Sequence, residues 1–172
     1  MRAAGALAVL ISNFGLFTPA ASQPTVNVSI VAGTPGGGCQ TSGDGGAATA
    51  AQFDNPIAVC ADAAGNLYVA EQNGHAVRYI SYSNGSYGLI LLFAGIEGSH
   101  GTGGDGGAAT DAQLDSPYGL HCHGSGTLFI ADTNNHAIRT VSSYATALGP
   151  SIMRISTWAG TLGHYGTIGD GL

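Results

Sequence analysis

Lysine is missing from this 172-residue chain, and charge of any kind is scarce: four arginines against ten acidic residues, for a net charge of −6. Without a basic stripe the surface cannot neutralise a phosphate backbone, which argues against DNA or RNA as the main partner. Charged residues make up 8% where about 25% is usual, so long solvated helices, coiled coils and charged disordered tails are improbable. Signatures of nucleotide or hydrolase chemistry are also missing: there is no Gly-Lys-Ser/Thr loop, no Gly-x-Ser-x-Gly elbow and no His-Glu-x-x-His pair. What the chain has in excess is glycine, 29 residues, beside an ordinary apolar fraction of 44%. Those two figures describe a turn-rich chain that can still bury a core.

The first 21 residues read as a secretory signal peptide. Arg2 supplies the positive start, an apolar run follows from Ala3, and small residues surround Ala21. Polar Ser12 and Asn13 interrupt the run and argue against a stable membrane span. In a secretory route the sequons at Asn27 and Asn84 become glycosylation acceptors.

The strongest signal is internal. Gly43-Asp44-Gly45-Gly46-Ala47-Ala48-Thr49 recurs unchanged as residues 104–110, and at that offset of 61 residues 43–80 match 104–141 at 18 of 38 positions. Trp158-Ala159-Gly160 echoes Phe93-Ala94-Gly95 and Val31-Ala32-Gly33, and Gly169-Asp170-Gly171 opens a third copy. Each unit carries four short apolar runs separated by turn residues. The first has strands expected near Ile57–Cys60, Leu67–Ala70, Ala76–Ile80 and Leu89–Phe93; the second, near Tyr118–His121, Leu128–Ala131, Ala137–Val141 and Ile152–Trp158. Asn84-Gly85 favours the positive φ angles of a tight hairpin. A four-stranded antiparallel unit at this period predicts an all-β protein built of β-propeller blades: blade 1 at about 43–95, blade 2 at 104–160 and the start of blade 3 at 161–172.

The pattern at Pro56–Arg78 and Pro117–Arg139, with Gly-x-Leu-(Tyr/Phe)-(Val/Ile)-Ala-(Glu/Asp) leading to His-Ala-(Val/Ile)-Arg, resembles the NHL repeat. The resemblance covers about residues 26–171. The first copy departs from the usual Asp-x-x-Asn-His by having Glu71 and Asn73-Gly74-His75. Members of that family usually close rings of about six blades, so about two blades make an incomplete ring. The expectation is a fragment of a secreted, extracellular propeller that serves as a scaffold for a protein, peptide or glycan ligand. Two other readings follow from the resemblance. One is an enzyme with a metal at the axis, either a gluconolactonase-like hydrolase or a peptide-amidating lyase. The other is an intracellular RNA or ubiquitin-pathway protein, with which the leader and the lysine-free surface conflict.

Antiparallel strand order puts the Gly-Asp-Gly-Gly loops and the turns at Glu71–His75 and Asp132–His136 on one face. Asp44, Asp105 and Asp170 hold equivalent loop positions there. They are candidate ligand-face carboxylates, for Ca²⁺ or a cationic group, or else acceptors of local backbone N–H groups in Gly-rich turns. Asp54 and Asp115 are expected nearer the axis and are better placed to line a ligand site. Arg78 and Arg139 are expected to pair with acidic partners such as Glu71 and Asp132 or with backbone carbonyls, and His75 and His136 to brace turns, as structural repeat positions. His121 and His123 break the repeat and share one side of a strand, so they could hold Zn²⁺ with a third ligand; a polar strand end is the alternative. No cofactor is otherwise expected. Cys60 and Cys122 sit 62 apart, one more than the repeat, so they point to opposite sides of their strands and a bridge between them is not expected.

Overall fold

In the computed structural model residues 27–146 and 149–164 are described. Residues 1–26, which include the expected signal peptide, and residues 165–172, which include Asp170, lie outside the described residues. The rest forms two four-stranded antiparallel sheets in simple order. Blade 1 comprises β1 (Pro56–Ala61), β2 (Leu67–Glu71), β3 (Ala76–Ser83) and β4 (Ser86–Gly95). Blade 2 comprises β5 (Pro117–Cys122), β6 (Leu128–Asp132), β7 (Ala137–Thr146) and β8 (Gly149–Gly160). The outer strands run longer than their apolar runs indicate, because the hairpin pairing continues through polar residues such as Ser83 opposite Ser86.

Local chemistry sets the turns. Asn84 and Gly85 take φ of 51° and 81°, as a two-residue hairpin requires. Between β1 and β2, Asp62 accepts the N–H groups of Ala64 and Asn66 through one oxygen, at 2.9 Å each. Asn55 and Ser116, immediately before the prolines that open β1 and β5, adopt matching positive φ of 56° and 53°.

The Gly-Asp-Gly-Gly-Ala-Ala motif explains itself once its surroundings are known. Gly43 and Gly104 pass so close to Ala51 and Ala112 that a Cβ would sit 2.8 and 2.4 Å from their Cα atoms. The next residues run beside the outer strand: Gly45 N–H donates to Ile90 and Gly106 N–H to Ile155, both at 2.8 Å. This covers a strand edge that would otherwise invite pairing with another chain. A single 3-10 turn then drops Ala48 and Ala51, or Ala109 and Ala112, into the core.

Two apolar clusters result. One lies between the blades, where Val77 and Ala94 of blade 1 meet Ala109, Ala112 and Leu114 of the connection and Leu128, Ile130, Val141 and Ile155 of blade 2. The other repeats the arrangement on the far side of blade 1, with Ala32 in the place of Ala94. Leu114 is fully buried there, and truncation to Ala would cost about 2–5 kcal/mol by cavity formation.

Cys60 and Cys122 form a disulfide across this seam, with their Cα atoms 5.8 Å apart. The sequence expectation is corrected for a geometric reason. Cys60 stands opposite Tyr68 and Cys122 opposite Leu128, so the two do occupy opposite faces of the repeat. Successive blades, however, meet front to back. The Tyr68 face of blade 1 looks at the Leu128 face of blade 2, and opposite faces are therefore the ones in contact. The third cysteine, Cys39, is exposed and unbridged.

Candidate functional site

The connections between blades and the β2–β3 and β6–β7 turns share one face, as antiparallel order requires. Thr41 Oγ1 donates to Glu71 at 3.2 Å, and Asn135 Nδ2 donates to the Gly101 carbonyl at 2.6 Å. Beneath that face each blade holds a wholly buried arginine. Arg78 reaches Asp44, Glu71 at 3.4 Å and Glu97 at 3.6 Å. Arg139 reaches Asp105 at 2.6 Å and Asp132 at 3.1 Å.

Among the described residues, Asp44 and Asp105 therefore bond to distant groups and not to local N–H groups. Asp44 also accepts the N–H of Leu92 at 2.9 Å, and Asp105 that of Thr157 at 3.0 Å, 48 and 52 residues away. Each is a brace that ties the connection directly to the outer strand and, through the arginine, to the third strand. Burial pushes the Glu71 carboxyl up to about 7, against the hydrogen bond from Asp54 N–H and the charge of Arg78. Asp132 is raised for the same first reason, burial. At Asp105 burial is outweighed by the hydrogen bond from Thr157 N–H and the pairing with Arg139, and its carboxyl is held below the ordinary value.

Asp54 and Asp115 anchor the inner strands. Their N–H groups donate to Glu71 and Asp132 at 2.8 and 2.7 Å. Their side chains part ways. Among the described residues the Asp54 carboxylate is met by Asn73 Nδ2, at 3.5 Å. Asp115 lies at the seam between blades, where His75 Nδ1 and His100 Nδ1 each stand 3.6 Å from one of its oxygens. Asn134 Nδ2 and Ser116 Oγ donate to it at 3.1 Å. His75 takes a left-handed φ of 53° and accepts the Ser116 N–H on Nδ1 at 3.2 Å. His136 occupies the corresponding place in blade 2, at φ 55°. The seam thus gathers two imidazoles, a carboxylate, a hydroxyl and an amide on the loop face, with His100 two-thirds exposed. Sequence reasoning missed His100, because it lies in a connection where the two copies do not align.

His121 and His123 share a side, with ring centroids 6.4 Å apart, and both pack near Phe129. His123 Nδ1 is engaged by Ser125 at 2.7 Å. Among the described residues no group of three or more His, Cys, Asp or Glu side chains is placed to hold a metal. Away from the loop face a groove of about 310 Å³ runs between the blades, lined by Tyr68, Tyr79, Phe93, Leu91, Asn66 and Met153. Tyr68 is pushed up to about 12 by burial and by the charge of Asp62.

A family model described as the Teneurin NHL domain matches residues 23–142. The chain belongs to the Teneurin NHL-domain family. Comparison with curated proteins finds no match. Family and fold agree: the described residues are two NHL-type blades, and they do not close a ring. No helix among them is long and apolar enough to cross a membrane. The buried arginine, its two flanking acids and the glycine loop are, in this chain, parts of how an NHL blade is built, whereas the Asp115 seam is a particular of these two blades.

Proposed function

We propose that this NHL propeller is an extracellular scaffold that binds a protein, peptide or glycan on its loop face. The observation that carries the reading is the seam at Asp115, where half-buried His75 and Ser116 and exposed His100 and Asn134 offer donors and acceptors side by side. Polar groups so placed can fix the orientation of a ligand. An inter-blade disulfide fits an oxidising compartment. The sequons fit as well, since Asn27 and Asn84 are both exposed.

A larger ring fits the uncovered side of blade 2. Val77 and Ala94 of blade 1 are covered by Ala109, Ala112 and Leu114, yet their counterparts Ile138 and Ala159 line an open groove of about 260 Å³ with Ala131 and His136. Trp158, the counterpart of Phe93, is 67% exposed. A further connection with the same Ala-Ala-Leu spacing would fill that groove.

The test is capture on glycan and extracellular-protein arrays by the secreted protein, compared with a His100→Ala/Asn134→Ala variant. A ligand held by the parent and lost by the variant supports the reading. Equal capture by both places binding elsewhere, and turnover of a lactone or amidated peptide precursor that depends on His121 supports an enzyme instead.

A further inference from the structure

The groove of about 310 Å³ between the blades is lined by residues that the repeat does not share. Its wall on blade 1 carries Tyr79 and Leu91, which pair across β3 and β4; the same pair across β7 and β8 is Thr140 and Ser156. Asp62 and Asn66, at the β1–β2 turn, have His123 and Thr127 as counterparts. Positions that build the blade keep their character in both copies, as Leu67 does with Leu128 and Arg78 with Arg139. Here an aromatic, an aliphatic, a carboxylate and an amide of blade 1 all change in kind.

Three half-buried rings meet in the groove. Tyr79 and Phe93 lie 6.5 Å apart between centroids and within 29° of parallel. Tyr68 stands across both, at 5.5 and 4.8 Å, with interplanar angles of 62° and 78°. Tyr68 and Phe93, with Met153 of blade 2, also line a smaller pocket of about 50 Å³ to which Asp62 contributes. Asp62 brings charge there rather than open hydrogen-bonding positions. One oxygen accepts the N–H groups of Ala64 and Asn66, and the other accepts Asn66 Nδ2 at 2.9 Å and the Tyr68 hydroxyl at 3.5 Å. Its field still reaches the rings: burial first, and the Asp62 charge second, push Tyr68 up to about 12 and raise Tyr79 as well. The chain has no lysine, and none of the described arginines lines the groove or the pocket. A primary ammonium would find few acceptors for its three N–H groups, whereas a quaternary ammonium needs none and gains from ring faces beside an anion.

We propose that this groove binds a small soluble molecule with a quaternary ammonium head, seated against Tyr68, Tyr79 and Phe93 with Asp62 as its counter-charge. The spacing of the three centroids lets one head lie within about 6 Å of every ring, the range over which cation–π attraction acts. A net charge of −6 adds a field that draws cations toward the chain. The site shares no residue with the Asp115 seam, so the two can be occupied and tested separately.

The probe is choline, titrated into the full chain by calorimetry beside its neutral carbon isostere, dimethylbutanol. Expected are saturable choline binding at or below about 1 mM and binding of the isostere at least about tenfold weaker. Tyr79→Thr removes a ring and should weaken choline about tenfold, whereas Tyr79→Phe keeps the ring and should stay within about twofold of the parent. Asp62→Asn keeps an acceptor for the turn while removing the charge, and should also lose about tenfold. Melting temperatures of the variants separate loss of binding from loss of folding, and the Tyr79→Phe rescue reads the ring itself. Equal affinity for choline and the isostere overturns the proposal in favour of an apolar ligand. Choline affinity unchanged by Tyr79→Thr, or no saturation at about 10 mM, overturns it outright. So do a dimer that Leu91→Asp abolishes, which would assign the groove to a second copy, and retention on phosphatidylcholine vesicles that Tyr79→Thr abolishes, which would assign it to a lipid surface.

Discussion

Around Arg139 two carboxylates gather, Asp105 and Asp132; around Arg78 there are three, Asp44, Glu71 and Glu97. In blade 2 the shorter Asp132 is helped by Asn135, whose Nδ2 donates to it at 2.9 Å. In blade 1 the position of Asn135 is Gly74, and a Cβ there would lie 2.7 Å from Thr41 Oγ1. The space that the missing side chain leaves is taken by Thr41, which donates to the longer Glu71 in Asn135's stead. Glu97 has Leu162 as its counterpart and so brings an extra charge to blade 1 alone. Blade 1 is also less completely bonded: Arg78 Nε has no partner among the described residues, whereas Arg139 Nε donates to Asp105 at 3.0 Å. A repeat therefore preserves a job, the burial of one cation under a loop, more strictly than it preserves the atoms that do it.

The most severe way to break the comparison is to remove each cation. Arg78→Met and Arg139→Met each leave buried carboxylates unpaired and should cost about 3–5 kcal/mol in urea unfolding. The blade 1 variant should regain more on going from pH 8 to pH 6, because Glu71, already raised to about 7, takes up a proton there. Equal pH responses would show that the raised Glu71 carboxyl does not set the two sites apart.

Cutting the clasp separates the blades. Closing the loop between residues 60 and 122 is worth about 4 kcal/mol on the chain-entropy scale, and a Cys60→Ser/Cys122→Ser variant should lose about 2–4 kcal/mol. Calorimetry should then resolve two transitions in place of one, the individual stabilities of the two blades. A single unshifted transition would mean that the apolar seam alone couples them.

Blade 2 can also be rewritten as blade 1. Asn135→Gly should cost about 1–3 kcal/mol, since Asp132 loses a donor in a buried site. Adding Asp132→Glu should recover part of that loss, because Thr102 stands where Thr41 does in blade 1. Failure of the double variant to recover anything would confine Thr41's substitution for Asn135 to one blade.

The smallest effect is a slope. Glu71 has an ordinary value of 4.5 and a folded value of about 7, so between them the folded chain holds a proton that the unfolded chain has released. Its contribution to stability is therefore greatest below about 4.5 and declines as pH rises through about 7. Glu71→Gln mimics the protonated acid and should flatten that decline; parallel melting curves of parent and variant from pH 5 to 8 would refute it.

The strands were legible in the sequence because each copy repeats its apolar runs and turn residues, and Asn84-Gly85 marks a hairpin on local chemistry alone. The pairing of Arg78 with Glu71 could also be anticipated, since the two stand on adjoining strands seven residues apart. Asp44's tie to Leu92 could not, because 48 residues separate them and nothing local records it. His100 and Glu97 were invisible to a method that aligns copies, for neither has a like residue in the other copy. The cysteine pair misled for a different reason: strand alternation was read within one sheet, while the contact is made between two.

That last point has a bearing on blade order. In a tandem of alike units every residue at a given position looks the same way, so two such residues in successive units never touch. A covalent tie between neighbours must join unlike positions, as a button joins a buttonhole. Blade 1 has cysteine at one of the two positions and Ala61 at the other; blade 2 has His121 and then Cys122. The pair therefore carries direction as well as strength. It states that blade 1 is followed by blade 2, a label of sequence order that otherwise similar units lack.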